Sequence, residues 1–407
     1  LTNGTNNKKP KENHGKIQKG KIDMKDLISK NPSAEDMSLT ARLKSISIIY
    51  LLIIALIAGV GCLVLYSAGK GSFSPWAGAH LTRFLISFLI IIIIAVTDLK
   101  FWLKHAYSIY AVCLFLLLAV EITGDIGKGA QRWINLGFIQ LQPSELMKIA
   151  AVLALARYFH TSFQEEVLQN KSLIIPVILI ALPVLLVLKQ PDLGTAIMLC
   201  ISAAVIFFLS GVQIWKFVTA ALLAAGSVPL IWNFWLHGYQ KQRVLTFLNP
   251  EKDPLGAGYH ILQSYISLGS GGATGKGFLQ GTQSYLNFMP EKHTDFVFTV
   301  LAEEFGFFGG LILISLYIAL IVMGFYIAFR CTSYFGKLVA LGLTVNLFSY
   351  MAINLSMIMG LVPVVGIPLP LVSYGGTSML TQMISFGLIQ CVYVNKNTFI
   401  GRKEAYS

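Results

Sequence analysis

Five consecutive residues, Glu291-Lys292-His293-Thr294-Asp295, form the densest ionisable cluster on the chain, and they run straight into the apolar stretch that begins Phe296-Val297-Phe298. An aspartate at that junction sits at a helix start near a membrane surface. Two compatible roles follow. It can cap the helix, accepting hydrogen bonds from backbone N–H groups that have no partner inside the helix. It can also act as a general base in a partly desolvated pocket. Burial raises a carboxyl pKa, and Lys292 or His293 beside it opposes that shift.

A second pair, Glu145 and Lys148, lies in Gln142-Pro143-Ser144-Glu145-Leu146-Met147-Lys148. Pro143 suits a first helical turn, and positions three apart share a helix face. Charges within a span face a protein interior or a wet cavity, so a structural ion pair and a functional one fit equally. Ser144 and Lys148 are four apart and do not make the Ser-x-x-Lys of penicillin-binding enzymes. Upstream, Lys128 and Arg132 precede Trp133 in Gly127–Gly137. They fit ordinary charges at an interfacial belt, or contacts to a phosphate or sugar. Arg243 opens a further polar stretch, Arg243 to Asn249-Pro250. Lys189-Gln190-Pro191-Asp192 and Gly366 to Gly376 are helix-breaking links close to membrane depth. Such backbone is tolerated when it is buried in protein or lines a cavity.

The run Gly269-Ser270-Gly271-Gly272-Ala273-Thr274-Gly275-Lys276-Gly277 invites comparison with a phosphate-binding P-loop. That motif requires Gly-x-x-x-x-Gly-Lys-Ser/Thr after a strand. Ser270 stands where the first Gly belongs, Gly277 stands where Ser or Thr belongs, and no strand precedes. The glycines fit tight turns with positive φ, or a looser backbone nest for pyrophosphate. The five cysteines are scattered, with no Cys-x-x-Cys pair, and indicate neither a disulfide framework nor a zinc site.

The elements that position these residues are set by composition. Hydrophobic residues make up 55% of the 407 and charged residues 12%, against about 25% charged in a soluble domain. The mean hydropathy of +0.68 requires a bilayer to take apolar surface that no soluble core can hold. The net charge of +12 resides between apolar runs and at the chain ends, which fits cytoplasmic loops rather than nucleic-acid binding. A span needs about 20 apolar residues. About ten candidates follow, at 46–68, 81–98, 104–123, 143–160, 171–189, 193–210, 214–236, 296–329, 336–360 and 378–395. The eighth exceeds a span and either tilts or begins outside the membrane, and the fourth is short and charged.

Lys100, Lys104, Arg157, Lys171, Arg330, Lys337, Lys396, Arg402 and Lys403 place alternate links, and both termini, on the cytoplasmic side. The fold class is therefore all-α integral membrane, with one long extracytoplasmic loop, 237–295, between spans seven and eight. Residues 1–45 read as a disordered basic cytoplasmic tail, 46–396 as the polytopic domain and 397–407 as a short cytoplasmic tail. No apolar core with a cleavage site follows the tail in the range of a signal peptide.

The motifs Lys128-Gly-Ala-Gln-Arg132-Trp133, Gln142-Pro-Ser-Glu145, Gln190-Pro-Asp192-Leu-Gly-Thr195, Gly256-Ala-Gly-Tyr-His260, Pro290-Glu-Lys-His-Thr-Asp295-Phe296 and Ser373-Tyr-Gly-Gly376 occur in that order. Together they resemble the SEDS family (shape, elongation, division and sporulation) over residues 46 to 396. Gly256 to His260 and Gly281-Thr-Gln-Ser284 resemble its elongation-type member more than its division-type one. The resemblance implies a peptidoglycan glycosyltransferase that polymerises lipid II, inverting at the anomeric carbon, outside the cytoplasmic membrane of a bacterium. It implies a class B penicillin-binding protein as partner and no nucleic acid. It aligns Asp295 with the family's essential aspartate and Glu145 and Lys148 with its intramembrane charges. On that reading Asp295 is the base, and Lys128, Arg132, Arg243 and Lys292 neutralise the departing pyrophosphate, with Lys148 more remote. A divalent cation is admissible beside them, although no His/Asp/Glu cluster has ligand spacing. The rival classes are a flippase for lipid-linked precursors and a scaffold for a partner synthase.

Overall fold

The computed structural model describes residues 1–2, 37–123, 125–127, 130–135, 137, 140–162, 167, 169–235, 238–252, 257–285 and 292–402. Lys128, Glu291, most of the basic tail and the final residues 403–407 lie outside the described residues.

The architecture is all-helical apart from a small antiparallel sheet. In chain order the helices are α1 (Leu39–Lys44), α2 (Ile48–Ala68), α3 (Trp76–Ala95), α4 (Leu99–Thr123), α5 (Pro143–Thr161), α6 (Ile174–Lys189), α7 (Leu193–Leu209) and α8 (Ile214–Leu230). They continue with α9 (Gly238–Leu248), α10 (Ala257–Ser270), α11 (Thr282–Tyr285), α12 (Val297–Arg330), α13 (Tyr334–Ile358) and α14 (Gly376–Val394). Strands β1 (Asp125–Gly127), β2 (Ala130–Asn135) and β3 (Gln140–Leu141) fill the link before α5.

Among the described residues eight helices are long and apolar enough to cross a membrane. The seventeen-residue α7 is apolar but shorter, and α5 carries Glu145, Lys148 and Arg157. These two complete the ten expected spans, and the protein is a multi-pass membrane protein. The charge on α5 has a physical explanation. Its residues from Pro143 to Ala156 are nearly all buried in protein, so neighbouring helices rather than lipid solvate it. The close packing depends on small residues. A Cβ on Gly342 of α13 would stand 2.8 Å from Val152 of α5 and 3.1 Å from Ile206 of α7. By contrast, α8 carries no buried residue. An apolar cleft of about 330 Å³ lies between α6, α7 and α8 and is lined by Val177, Ala181, Ala204 and Phe217, with Lys216 at its rim.

Two differences from the sequence reading concern boundaries. Residues 39–44, expected within the tail, form a helix capped by Ser38, and Arg42 donates to the Val96 carbonyl at 3.0 Å. The long eighth span is two helices. Gly306, at φ 65° and ψ −159°, breaks α12 near its start, and the remaining 24 residues make a span of about 36 Å.

The links group at two ends of the bundle. At one end Arg157 donates to the Lys104 carbonyl at 2.6 Å, Asn395 to Thr97 at 3.1 Å and the Thr332 N–H to Lys396 at 2.8 Å. The other end gathers the links carrying Arg132, Asp192, Asp295 and 364–376.

Candidate active site

Asp295 is half-buried at the entrance to α12, in a run of turns from Lys292 to Phe296. Phe296, not Asp295, takes the cap position, without a side-chain cap bond. What holds the segment is a clasp on its carbonyls. The Tyr374 N–H donates to the His293 carbonyl at 2.8 Å, the Ser373 hydroxyl to Thr294 at 2.6 Å and the Asn354 amide to Asp295 at 2.9 Å. Asn354 also donates to the Ile367 carbonyl at 2.7 Å. The Pro/Gly link 366–376 is thereby fastened along the Asp295 segment. The carboxylate faces that link: a Cβ on Gly366 would stand 3.6 Å from Asp295 Oδ2, and Gly366 has a φ of 74°.

An aromatic and cationic stack flanks the clasp. The His293 ring lies parallel to Trp76 with centroids 4.6 Å apart and meets the edge of Tyr374 at 6.1 Å. Arg83 lies 4.6 Å from the Tyr374 ring centroid, and Lys292 Nζ lies 5.9 Å from that of Trp76. Burial, with a smaller contribution from the charge of Lys70, holds the Lys292 ammonium below the usual lysine range.

Glu145 and Lys148 do pair, at 2.7 Å, with both side chains buried. Tyr350 of α13 completes the group. Its hydroxyl donates to Glu145 Oε2 at 2.5 Å and accepts from Lys148 Nζ, whose charge lies 4.2 Å from the Tyr350 ring centroid. Nearby, Asp192 caps α7, accepting from the Thr195 N–H at 3.2 Å, the Thr195 hydroxyl at 2.9 Å and Gln142 at 3.1 Å.

The expected phosphate-contacting cations differ in placement. Arg132 is a strut: its guanidinium donates to the carbonyl of Gln190 at 3.1 Å and to that of Pro191. Arg243 is exposed and reaches the Val364 carbonyl at 3.3 Å, so it borders the link that Asp295 faces. Lys292 lies three residues before Asp295 and is 3% exposed. Lys128 lies outside the described residues.

The glycine run is a docking surface. The N–H groups of Lys276 and Gly277 donate to the carbonyls of Glu303 and Glu304 at 3.0 Å each, and Phe307 N–H donates to Gly272 at 2.9 Å. These amides are spent on the kinked start of α12, not directed into a phosphate nest. Glu303 pairs with Lys276 at 2.7 Å, and Ser67 donates to Glu304.

Tyr350, Asn354, Arg83 and Trp76 belong to the site and escaped the reading of motifs. One signal was available: Asn346, Tyr350 and Asn354 recur every four residues on a mostly apolar span, a polar stripe on one helix face. Chemically, the arrangement offers a half-buried carboxylate facing the 366–376 link, with Arg83 and Lys292 on the aromatic stack that flanks the clasp. Among the described residues no three His, Cys, Asp or Glu side chains gather to hold a metal ion.

A family model for cell cycle proteins of the FtsW/RodA/SpoVE type matches residues 44–398. The chain is 44% identical over 347 residues to the peptidoglycan glycosyltransferase MrdB of Escherichia coli K12, covering 85% of this chain and 93% of that one. A chain of a peptidoglycan synthase complex that coordinates polymerization and crosslinking superposes with a TM-score of 0.72 at 30% identity, covering 86% and 97%. The crystal structure of the rod shape determining protein RodA of Thermus thermophilus superposes with a TM-score of 0.66 at 25% identity, covering 86% and 97%.

Proposed function

This chain belongs to the FtsW/RodA/SpoVE family, and on that premise we propose that it is an elongation-type peptidoglycan glycosyltransferase in which Asp295 is the general base. The observation that carries the assignment of the base is the clasp, three successive carbonyl bonds that present one half-buried carboxylate to the 366–376 link.

The substrate is lipid II, and the reaction is an inverting displacement. An acceptor sugar hydroxyl attacks the anomeric carbon of a donor held on undecaprenyl pyrophosphate. As the new C–O bond forms, Asp295 takes the hydroxyl proton. The bond to the pyrophosphate breaks and its electron pair leaves with the phosphate oxygen. Lys292 and Arg243 offset that developing charge, with Lys128 as a further candidate. Arg132 acts at one remove by holding the 190–191 link, and the buried Glu145–Lys148 pair fixes α5 against α13.

The likeness to a complex that joins polymerization to crosslinking supports a class B penicillin-binding protein as the partner. The basic links at the end opposite Asp295 support cytoplasmic termini, which place Asp295 outside the cytoplasmic membrane. The capped helix at 39–44 and the bond from Arg42 to Val96 support a membrane domain that begins near residue 38.

The test is polymerisation of purified lipid II by wild-type protein and by Asp295→Asn, with thermal unfolding as the check on folding. A folded Asp295→Asn protein should make no glycan. Normal polymerisation by that variant would remove Asp295 from the mechanism. Translocation of labelled lipid II in proteoliposomes without any polymer would replace the enzyme with a flippase.

A further inference from the structure

We propose that Tyr350 and Asn354 are a single positioning unit that ties the Glu145–Lys148 pair to the backbone of Asp295. The inference rests on the reading of Asp295 as the base. The two residues are four apart on α13, so they share one face and lie about 6 Å apart along the helix axis. Both are buried, at 1% and 0% exposure.

Each makes polar contacts that an apolar side chain of equal volume would not supply. The Tyr350 hydroxyl sits between the two charges of α5, donating to Glu145 at 2.5 Å and accepting from Lys148. That contact fixes how α13 is rotated against α5. One turn on, the Asn354 amide nitrogen spends both of its N–H groups, on Asp295 O at 2.9 Å and on Ile367 O at 2.7 Å. Both partners are acceptors, so the network dictates which way the amide faces. Asn354 therefore fixes the Asp295 segment and the facing 366–376 link to one point on α13. The rotation of that point is in turn set by Tyr350. Packing alone requires neither the hydroxyl nor the amide, and a buried carbonyl left unbonded is costly.

A misplacement of about 1 Å lowers a catalytic rate by about 10²-fold. Purified protein is assayed for lipid II polymerisation as Tyr350→Phe, Asn354→Ala, the double variant and the Asp295→Asn control. Asn354→Ala should lower kcat about 100-fold and Tyr350→Phe about 10-fold, with KM within about twofold of wild type. The double variant should be no slower than Asn354→Ala alone, because one unit is broken twice. Wild-type kcat in folded Asn354→Ala, multiplying effects in the double variant, or a change confined to KM would overturn the proposal.

If Asn354→Ala shows no unfolding transition, Tyr350→Phe carries the test, since it keeps the ring. Asp295→Glu lengthens the carboxylate arm, and its loss of kcat should be smaller in the Tyr350→Phe background than in wild type. An equal loss in both would overturn the proposal. An active Asp295→Asn defeats the base reading itself. An inactive Asp295→Asn beside Tyr350→Phe and Asn354→Ala proteins of wild-type kcat defeats the positioning unit alone.

Discussion

Lys276 binds Glu303 twice, with its N–H on the Glu303 carbonyl at 3.0 Å and its ammonium on the carboxylate at 2.7 Å. The pair fastens the glycine run to the break in α12. It also brings two backbones so close that a methyl group on Gly275 would overlap the Glu304 carbonyl, and Gly275 has a φ of 81° besides.

Gly275→Ala should therefore destabilise the protein by about 1–3 kcal/mol, and Lys276→Met by about 2 kcal/mol through loss of charged hydrogen bonds. Thermal unfolding in detergent measures both, and proteolytic nicking within 271–283 reports local release. Gly226→Ala is the control, since nothing lies within 4 Å of its added carbon. Equal midpoints for Gly275→Ala and wild type would show that the run does not dock.

Most spans were legible because lipid demands about 20 apolar residues in succession, as at 48–68, whereas the break at Gly306 within 297–330 left no mark on that apolar run. The fourth was faint because α5 is solvated by protein, which relaxes that demand on its composition. The Asp295 cluster and the Glu145–Lys148 pair were visible because charge beside or within an apolar run is expensive and so informative. Tyr350 and Asn354 were harder. A tyrosine and an asparagine are tolerated singly in a span, and their roles depend on carbonyls at 295 and 367 that only the fold brings together. The glycine run departs from a P-loop at Ser270 and Gly277. Its partner, the backbone of α12, leaves no mark on side-chain identity.

The Glu145–Lys148 pair should behave as a buried ion pair in stability measurements. Removing one charge strands the other, so Glu145→Gln or Lys148→Met alone should cost about 3–5 kcal/mol. Removing both should cost less than the worse single change. Unfolding midpoints of the two singles and the double check this. Additive losses would mean that the two charges do not depend on one another.

Lys292 predicts a pH dependence whose sign is set by burial. Its ammonium is disfavoured in the folded protein, where its pKa lies below the ordinary 10.5. The stability it contributes is fully present above 10.5, where the amine is neutral in both states, and is lost as pH falls through the depressed folded value. Lys292→Met should flatten the rise in stability across that window and leave the protein at least as stable at neutral pH. The same change should raise KM for lipid II about 10-fold if the ammonium meets the pyrophosphate. Unfolding midpoints against pH, together with polymerisation kinetics, separate the two effects. An unchanged KM would remove Lys292 from substrate binding.

Arg132 and Arg243 should respond differently to truncation, although both are arginines on the same face of the bundle. Arg132 is half-buried and holds the carbonyls of Gln190 and Pro191, so Arg132→Ala should lower stability by about 1–2 kcal/mol through loss of both bonds. Arg132→Lys should recover little, because one ammonium does not reproduce a fork set on two carbonyls. Arg243 is exposed and holds the Val364 carbonyl at 3.3 Å, so its loss should hardly move the unfolding midpoint. If it meets the pyrophosphate, Arg243→Ala should raise KM several-fold, and the rise should shrink with added salt as exposed charges are screened. The unfolding midpoint and KM of each variant, measured at low and high ionic strength, decide the matter. A stable Arg132→Ala protein with a raised, salt-sensitive KM would exchange the two roles.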